Sequence, residues 1–268
     1  MIAKGELSSY AAPAPKIIEH SINSTHEALR YQDSKSDKFW RIEYAYNSLA
    51  VNHGKTGTIG KYQVKDFATQ ADCEKEAKKL IASKIKKGYQ PYPDFDPSRH
   101  FYLGGYDSYD IGLHPFTSHP NFRAHFTEGF YYDCADEAAP FGSDEGSDTL
   151  DMIEEILRKN KSLDFTAYPK KQIENNWGFN YIPPEDIPYE TIEKLLDADE
   201  YSLTQSDMVT YITAFAQIKI TGRIDTELKQ MAIKAMKRKL VTDEIQGYDF
   251  AEETLQKMIS DLEQFTNK

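Results

Sequence analysis

A chain of 268 residues that is 40% hydrophobic and 28% charged has room for two or three packed modules. It holds no apolar run near the ~18 residues a membrane span needs and no apolar core in its first residues, so neither a membrane helix nor a cleaved secretory signal is expected. Two distant cysteines, Cys73 and Cys134, form no disulfide framework or metal motif, and a net charge of -11 argues against polyanion binding by the chain as a whole, so a cytoplasmic protein is expected.

Residues 1–24 include AAPAP and SINST and have little periodicity, so they read as a flexible lead. HEALRYQ then predicts a first strand. In KFWRIEYA the residues alternate: Phe39, Arg41, Glu43 and Ala45 share one side, and Trp40, Ile42 and Tyr44 the other, which is the side expected to face a core. A turn at 46–48 leads into LAVNH, then the glycine-rich stretch NHGKTGTIGK, then the strand KYQVKDF. Thr69, three residues before Asp72, is placed as a helix N-cap. The helix is expected to run to about Lys87 with Ala77, Leu80 and Ile81 inward and Gly88 as its stop, and Tyr89 packs back. Its lysines read first as a solvated face. These pieces make one antiparallel sheet with one helix over about 25–91. Residues 35–92 hold 12 Lys/Arg against 6 Asp/Glu, whereas 93–268 carry a net -16, so a basic module sits in an acidic chain.

The prolines of PYPDFDP (91–97) mark a linker. Residues 98–187 are irregular, acidic and aromatic-rich, and read as a second α+β domain. A short strand at FYLGG, a short helix over HPNFRAHF, a firm helix over about 149–159 capped by Asp148, and a helical piece near 168–176 are expected there. From 188 to 268 the chain reads as a helical region: a piece over 189–197, a helix begun by Thr204 and closed at Gly222, one begun by Asp225, and one begun by Asp249. The predicted fold class is α+β throughout: a small antiparallel sheet with one helix, an irregular α+β domain, and a C-terminal helical bundle.

The succession KFWRIEY, LAVNHGKTGTIGK and KDFATQADCEKEAKKLIASKIKKGY resembles the WGR domain. His53-Gly54-Lys55 stands where that family carries Trp-Gly-Arg. Gly57, Thr58 and Gly60 match the positions beyond it, Phe67-Ala68 the entry to the helix, and Lys87-Gly88-Tyr89 its close. The resemblance covers about a quarter of the chain. WGR domains occur in some poly(ADP-ribose) polymerases, where they bind DNA ends, and in bacterial proteins described as molybdate-metabolism regulators. The resemblance therefore implies contact with DNA or another phosphate-bearing nucleic acid. On this chain the site would be His53, Gly54, Lys55, Thr56, Gly57 and Lys61. His53 stacks with less area than Trp, and Lys55 keeps the charge of Arg without its planar fork. Further along, LGGYDSYDIGLHPFTSHPNF and DCADEAAPFGSDEGSDTL resemble the bacterial YfeS-type proteins, which join such a region to a WGR domain and bring no assigned activity.

A second candidate site gathers His114 and His119 with Asp133, Asp136, Glu137 and Asp144, residue types that ligate a divalent metal and would serve a hydrolase. The bland alternative makes the histidines loop starts, Asp148 and Asp151 helix-capping residues, and Glu154 and Glu155 part of an exposed helix face. No nucleophile elbow, P-loop or dinucleotide fingerprint is present, Cys134 lies among carboxylates that oppose a thiolate, and no cofactor is implied. The leading reading is a non-enzymatic nucleic-acid-associated or regulatory protein that makes contact through its basic module. The alternatives are an adaptor or immunity-type protein whose acidic second half meets a protein partner, and a metal-dependent hydrolase.

Overall fold

The computed structural model describes residues 15–104, 113–160 and 162–268. The chain folds into two compact units, Met1–Tyr132 with Lys219–Thr221, and Asp133–Ile218 with Gly222–Lys268.

The first unit is built on an antiparallel sheet of five strands: β1 (Thr25–Gln32), β2 (Asp37–Ala45), β3 (Ser48–Lys55), β4 (Lys61–Asp66) and β5 (Gln90–Pro91), in the order β4-β3-β2-β1-β5. Their pairing follows from the turns: β2 meets β3 with Ala45 opposite Ser48, and β3 meets β4 with His53 opposite Lys61. A short helix α1 (Pro15–Ser21) precedes the sheet, and α2 (Gln70–Lys86) follows β4. Thr69 caps α2 as expected, its hydroxyl accepting from the Asp72 N–H at 3.1 Å.

Helix α2 covers one face of the sheet. Cys73 and Ala77 are buried against Leu29, Trp40, Ile42, Leu49 and Val51, with Tyr44, Phe67, Leu80, Ile81 and Tyr89 around them. This is the core that the alternation in β2 predicts. The opposite face is buried as well. Ile17, Ala50, Tyr62, Tyr102 and Phe116 cluster on it, and β2 is buried on both sides from Phe39 to Glu43. Most of the polar groups there are paired with one another, as buried charges require. Arg41 donates through Nε to the Asn52 side-chain oxygen at 3.1 Å, and through its two terminal nitrogens to the hydroxyls of Tyr102 and Tyr62. Arg123, from α3 (Pro120–His125), donates to the Glu43 carboxylate.

Several expectations are corrected. The lead of 1–24 is not featureless where it is described: residues 15–21 are helical and bury Ile17 and Ile18, while 1–14 lie outside the described residues. The segment 91–97 is not a linker between separate modules. Its start pairs with β1, and Phe95 lies over Arg41 at 5.3 Å. Residues 101–104 form no strand; Tyr102 is tied instead by its N–H to the Ile220 carbonyl at 3.0 Å. A stretch of the YfeS-like region, 105–112, lies outside the described residues.

The second unit is helical: α4 (Asp144–Asn160), α5 (Tyr168–Lys171), α6 (Tyr189–Thr221, whose last three residues belong to the first unit), α7 (Thr226–Gln246) and α8 (Glu252–Gln264). Helix α4 starts a turn before the expected Asp148 cap, because the Ser143 hydroxyl accepts from the Gly146 N–H at 3.1 Å. The expected pieces at 189–197 and from Thr204 merge into α6 with a kink at Asp199 (φ -159°, ψ 79°), and the Asp199 carboxylate, not Thr204, accepts from the Ser202 N–H. Leu228, Ala232, Ala235 and Met236 of α7 and Leu255, Met258 and Leu262 of α8 are buried, as their spacing predicts.

Candidate nucleic-acid interface

Of the ten residues 52–61, the first four end β3 and the last begins β4, and the five between them, 56–60, form a folded loop rather than a two-residue turn. Residues 56–60 double back over Gly54. A Cβ on Gly54 would lie 2.9 Å from the Gly60 Cα and 3.0 Å from the Thr58 hydroxyl. Gly60 has φ +78°, and a Cβ there would come 2.6 Å from Phe39 Cζ and 2.8 Å from the His53 carbonyl oxygen. Buried Asn52 holds the loop from below, its amide donating to the carbonyls of Ile59 and Lys61 at 3.2 and 3.3 Å. Thr56 anchors the loop to β2, its N–H donating to the Asp37 carbonyl and its hydroxyl to the Asp37 carboxylate at 2.7 Å. The extra residues and glycines are thus explained by a loop that must pack on its own strand.

This packing turns His53 toward the face of α2. On β3, residues 49, 51 and 53 share that face, and the cross-strand partners of His53 are Trp40 and Lys61. Lys38 and Lys55 stand opposite each other on the same face. From α2, Lys84 lies over the Trp40 ring at 5.5 Å and the Tyr89 ring at 5.3 Å. A cavity of about 610 Å3 opens among these groups, lined by Lys35, Lys38, His53, Gly54, Lys55, Lys84 and Tyr89 with Ser36, Asp37 and Phe39. Its carboxylate, Asp37, is already engaged: Arg30 donates to it from Nε at 2.8 Å and from a terminal nitrogen at 2.6 Å, and these bonds, then Thr56, pull its pKa down to about 2. Burial lowers the pKa of His53, and Lys84 and Lys61 lower it further. Burial, then Lys87, lowers that of Lys84.

Of the six residues predicted for nucleic-acid contact, His53, Gly54 and Lys55 line the cavity, and Lys61 sits across the ladder from His53. Thr56 serves the loop through Asp37, and Gly57 is exposed at its tip. Lys35, Lys38, Lys84 and Tyr89 were not singled out for the site from sequence. For Lys38 the signal was available: counting by twos from Trp40 puts it on the same face. Lys84 is set apart from the other helix lysines only by the fold, since Lys78 and Lys79 pair with Glu74 and Glu76 along the helix.

The predicted metal set does not assemble. Among the described residues no three His, Cys, Asp or Glu side chains are placed to hold a metal ion. His114 and His119 are buried N-caps of the first unit. His114 Nδ1 accepts from the Phe116 N–H and its Nε2 bonds Ser48; His119 Nδ1 accepts from the Asn121 N–H and its Nε2 faces the Ser98 carbonyl. Both ring nitrogens of each are thereby used. Asp133, Asp136, Glu137 and Asp144 belong to the second unit, where Asp133 and Asp136 accept from the N–H groups of Ala135 and Ala138 and Asp144 opens α4. Burial and then Asp133 raise the pKa of Cys134, which opposes thiolate formation.

The sheet, its single helix and the loop between β3 and β4 place the first unit among WGR domains, and the WGR domain family matches residues 25–96. The whole chain has a wider kinship. It is 48% identical over 240 residues to "Uncharacterized protein YfeS" of Escherichia coli (strain K12), a match that covers 89% of this chain and 97% of that protein. The chain therefore belongs to the YfeS family of WGR-domain proteins. "Protein YehF" of the same organism is 49% identical over 59 residues, 22% of each chain. A crystal structure of a Bacteroides fragilis protein aligns with 25% of this chain and 19% of its own at 46% identity, with a TM-score of 0.25, too low to bear on the fold. No helix among the described residues is long and apolar enough to cross a membrane.

Proposed function

We propose that the first unit contacts the phosphate backbone of a nucleic acid through the lysine-lined face beside His53, and that the protein is a non-enzymatic nucleic-acid-associated or regulatory factor. The observation that carries this reading is the pairing of Lys38 directly opposite Lys55, with Lys84 and Lys35 around the same cavity. Like charges opposed across strands destabilise a sheet, so their gathering calls for a counter-charge. Phosphate oxygens supply it, and the half-buried His53 ring offers a flat surface for a sugar or a terminal base. Such contact fixes position and charge and reads no base sequence.

The test is fluorescence anisotropy of labelled duplexes, blunt, nicked and 5′-phosphorylated, against the full chain at several salt concentrations. Replacing Lys38 and Lys55 by Gln removes two phosphate contacts. The slope of log K against log salt is expected to shrink by about 1.8 in magnitude, with affinity lost equally across sequences. His53→Ala is expected to weaken binding to ends more than to internal duplex. Binding whose slope is untouched in the double variant defeats the assignment.

A protein partner for the second unit is the competing proposal. Tyr201 and Phe250 are 68% and 67% exposed there, Tyr189 and Tyr248 are exposed as well, and Phe179 stacks on Tyr201. Exposed aromatics are enriched in interfaces. Recovery from lysate of one stoichiometric protein, lost on Tyr201→Ser and Phe250→Ser, would favour this reading over the first.

A further inference from the structure

In the second unit a cavity of about 290 Å3 is lined from the start of α4, from α6 and α7, and from the start of α8. Its size lies at the lower end of the roughly 300–1,000 Å3 range of small-molecule sites. Met208, Phe250, Ala251 and Leu255 give it apolar walls. Tyr211, Lys239, Glu137, Asp144 and Glu145 give it polar ones.

Two of these polar groups are left open. Tyr211 is only 3% exposed, and its hydroxyl makes no hydrogen bond among the described residues. The oxygen is not sealed in the core, so it opens on the cavity that its ring lines. Buried hydroxyls almost always find a partner, and one that can be reached from a cavity calls for one there. Burial, then Asp243, Asp207 and Glu145, push the Tyr211 pKa up, so the phenol stays neutral among carboxylates that favour a positive charge beside it. Glu145 is the second open group. Its half-buried carboxylate accepts from the Gln205 amide at 3.0 Å, and no lysine or arginine among the described residues pairs with it.

The charges lining the cavity do not balance. Lys239 is already held by Asp243, at 2.8 and 3.1 Å. Asp144 and Glu145 stand in the first turn of α4, where the helix dipole presents about half a positive charge against their two negative ones. Glu137 adds a third negative charge. Among the described residues these carboxylates are not placed to hold a metal ion. The apolar walls and the phenol fit instead a cation that carries N–H donors and a carbon stem.

We propose that this cavity binds a small organic cation, a primary ammonium or guanidinium on a short alkyl stem, whose N–H groups donate to the Tyr211 hydroxyl and the Glu145 carboxylate. Phe250 offers its ring face to the charged head, and Met208 and Leu255 pack on the stem. The same head group occurs on a free amine and on a lysine or arginine of another chain, and the probes below separate these sources. The site lies wholly in the second unit and does not rest on the nucleic-acid face.

The experiment is calorimetric titration of the full chain at low salt with butylammonium, cadaverine and agmatine. Butanol is the neutral counterpart, and potassium ion the charge without a stem. Nα-acetyl-lysine methylamide and Nα-acetyl-arginine methylamide stand for basic side chains of a partner. Saturable binding of at least one organic cation is expected, and none of butanol or potassium. Tighter binding of the free amines assigns the site to a small molecule, and tighter binding of the capped amino acids assigns it to a partner's side chain. Tyr211→Phe removes only the hydroxyl, and Glu145→Gln removes the charge while keeping an acceptor for Gln205. Each should weaken binding by about tenfold or more, as loss of a hydrogen bond to a charged group does. Glu155→Gln changes the net charge equally, but Glu155 is exposed and paired with Lys159, so this variant should bind as the parent does. The proposal is overturned if no organic cation binds saturably, or if butanol binds as well as butylammonium. It is equally overturned if Tyr211→Phe or Glu145→Gln binds unchanged, or if Glu155→Gln loses as much as Glu145→Gln.

Discussion

Gly54 and Gly60 pack the glycine-rich loop against its own strand, and replacing Gly60 by alanine tests that packing. Two costs add. The left-handed backbone at φ +78° disfavours any L side chain by about 1–2 kcal/mol. The new methyl would lie 2.6 Å from Phe39 Cζ, 2.8 Å from the His53 carbonyl oxygen and 3.0 Å from the Asn52 amide nitrogen. Phe39 is buried and the other two belong to the β3 ladder and the buried polar layer, so none can step aside cheaply, and overpacking adds about 1–3 kcal/mol. Gly57 is the internal control: φ is +81°, but nothing lies within 4 Å of its Cβ position. Gly57→Ala should therefore show the backbone cost alone. The difference of about 2 kcal/mol moves a urea midpoint by about 1 M at a typical m-value. Trp40 and Trp177 are the two tryptophans, one in each unit, so in a Trp177→Phe background the fluorescence of Trp40 follows the first unit. Equal midpoints for Gly60→Ala and Gly57→Ala would refute the claim that the loop is closed by contact.

Lys84→Gln should shrink the magnitude of the salt slope of nucleic-acid binding by about 0.9, whereas Lys78→Gln, already paired with Glu74, should leave it unchanged; the same anisotropy titrations decide. Burial pushes the imidazoles of His114 and His100 down to about 4 and about 3, so both are neutral in the folded unit and protonate near pH 6.5 when it unfolds. Their contribution is thus fully present above about pH 6.5 and is lost as pH falls from there toward the folded values, at up to about 1.4 kcal/mol per pH unit for each. His114→Asn keeps an acceptor for the Phe116 N–H and should flatten the fall measured by urea unfolding between pH 7 and pH 4; an unaltered slope would count against it. In the second unit, buried Arg238 donates to Asp207 at 2.8 Å and to the carbonyls of Ile182 and Pro183. Asp207→Ala should cost about 3–5 kcal/mol, and the Asp207→Leu, Arg238→Met pair much less; equal losses would mean the ion pair is not what the substitution removes.

One face of the sheet was legible in the sequence and the other was not. Trp40, Ile42 and Tyr44 announce a core because apolar residues at period two have one simple explanation. Arg41 and Glu43 on the alternate positions read as solvent-facing for the same reason, yet their partners, Tyr62, Tyr102 and Arg123, come from distant segments that no local pattern links to them. Helix α2 was legible through Thr69 and its stripe. The start of α4 was not, since Asp148 and Ser143 are both acceptable caps and packing chose the earlier one. At the site, the WGR-like motif located His53 and Lys55, but Lys84 joined them only through the packing of α2 that sets it over Trp40 and Tyr89. His114 and His119 misled because a histidine that caps a turn and one that ligates a metal leave the same trace in a sequence.

The two-sided burial of β2 bears on how this protein can be cut. The WGR match ends at residue 96, but the Glu43 carboxylate is neutralised by Arg123, and Tyr102 and Phe116 shield the layer around it. A fragment trimmed to the homologous block would open that layer to water and strand a carboxylate on a half-stripped sheet. The inherited block and the compact unit therefore differ here by the thirty-six residues 97–132 and by Lys219–Thr221. Homologous chains in which the same block is followed by other sequence must close this face by some other means.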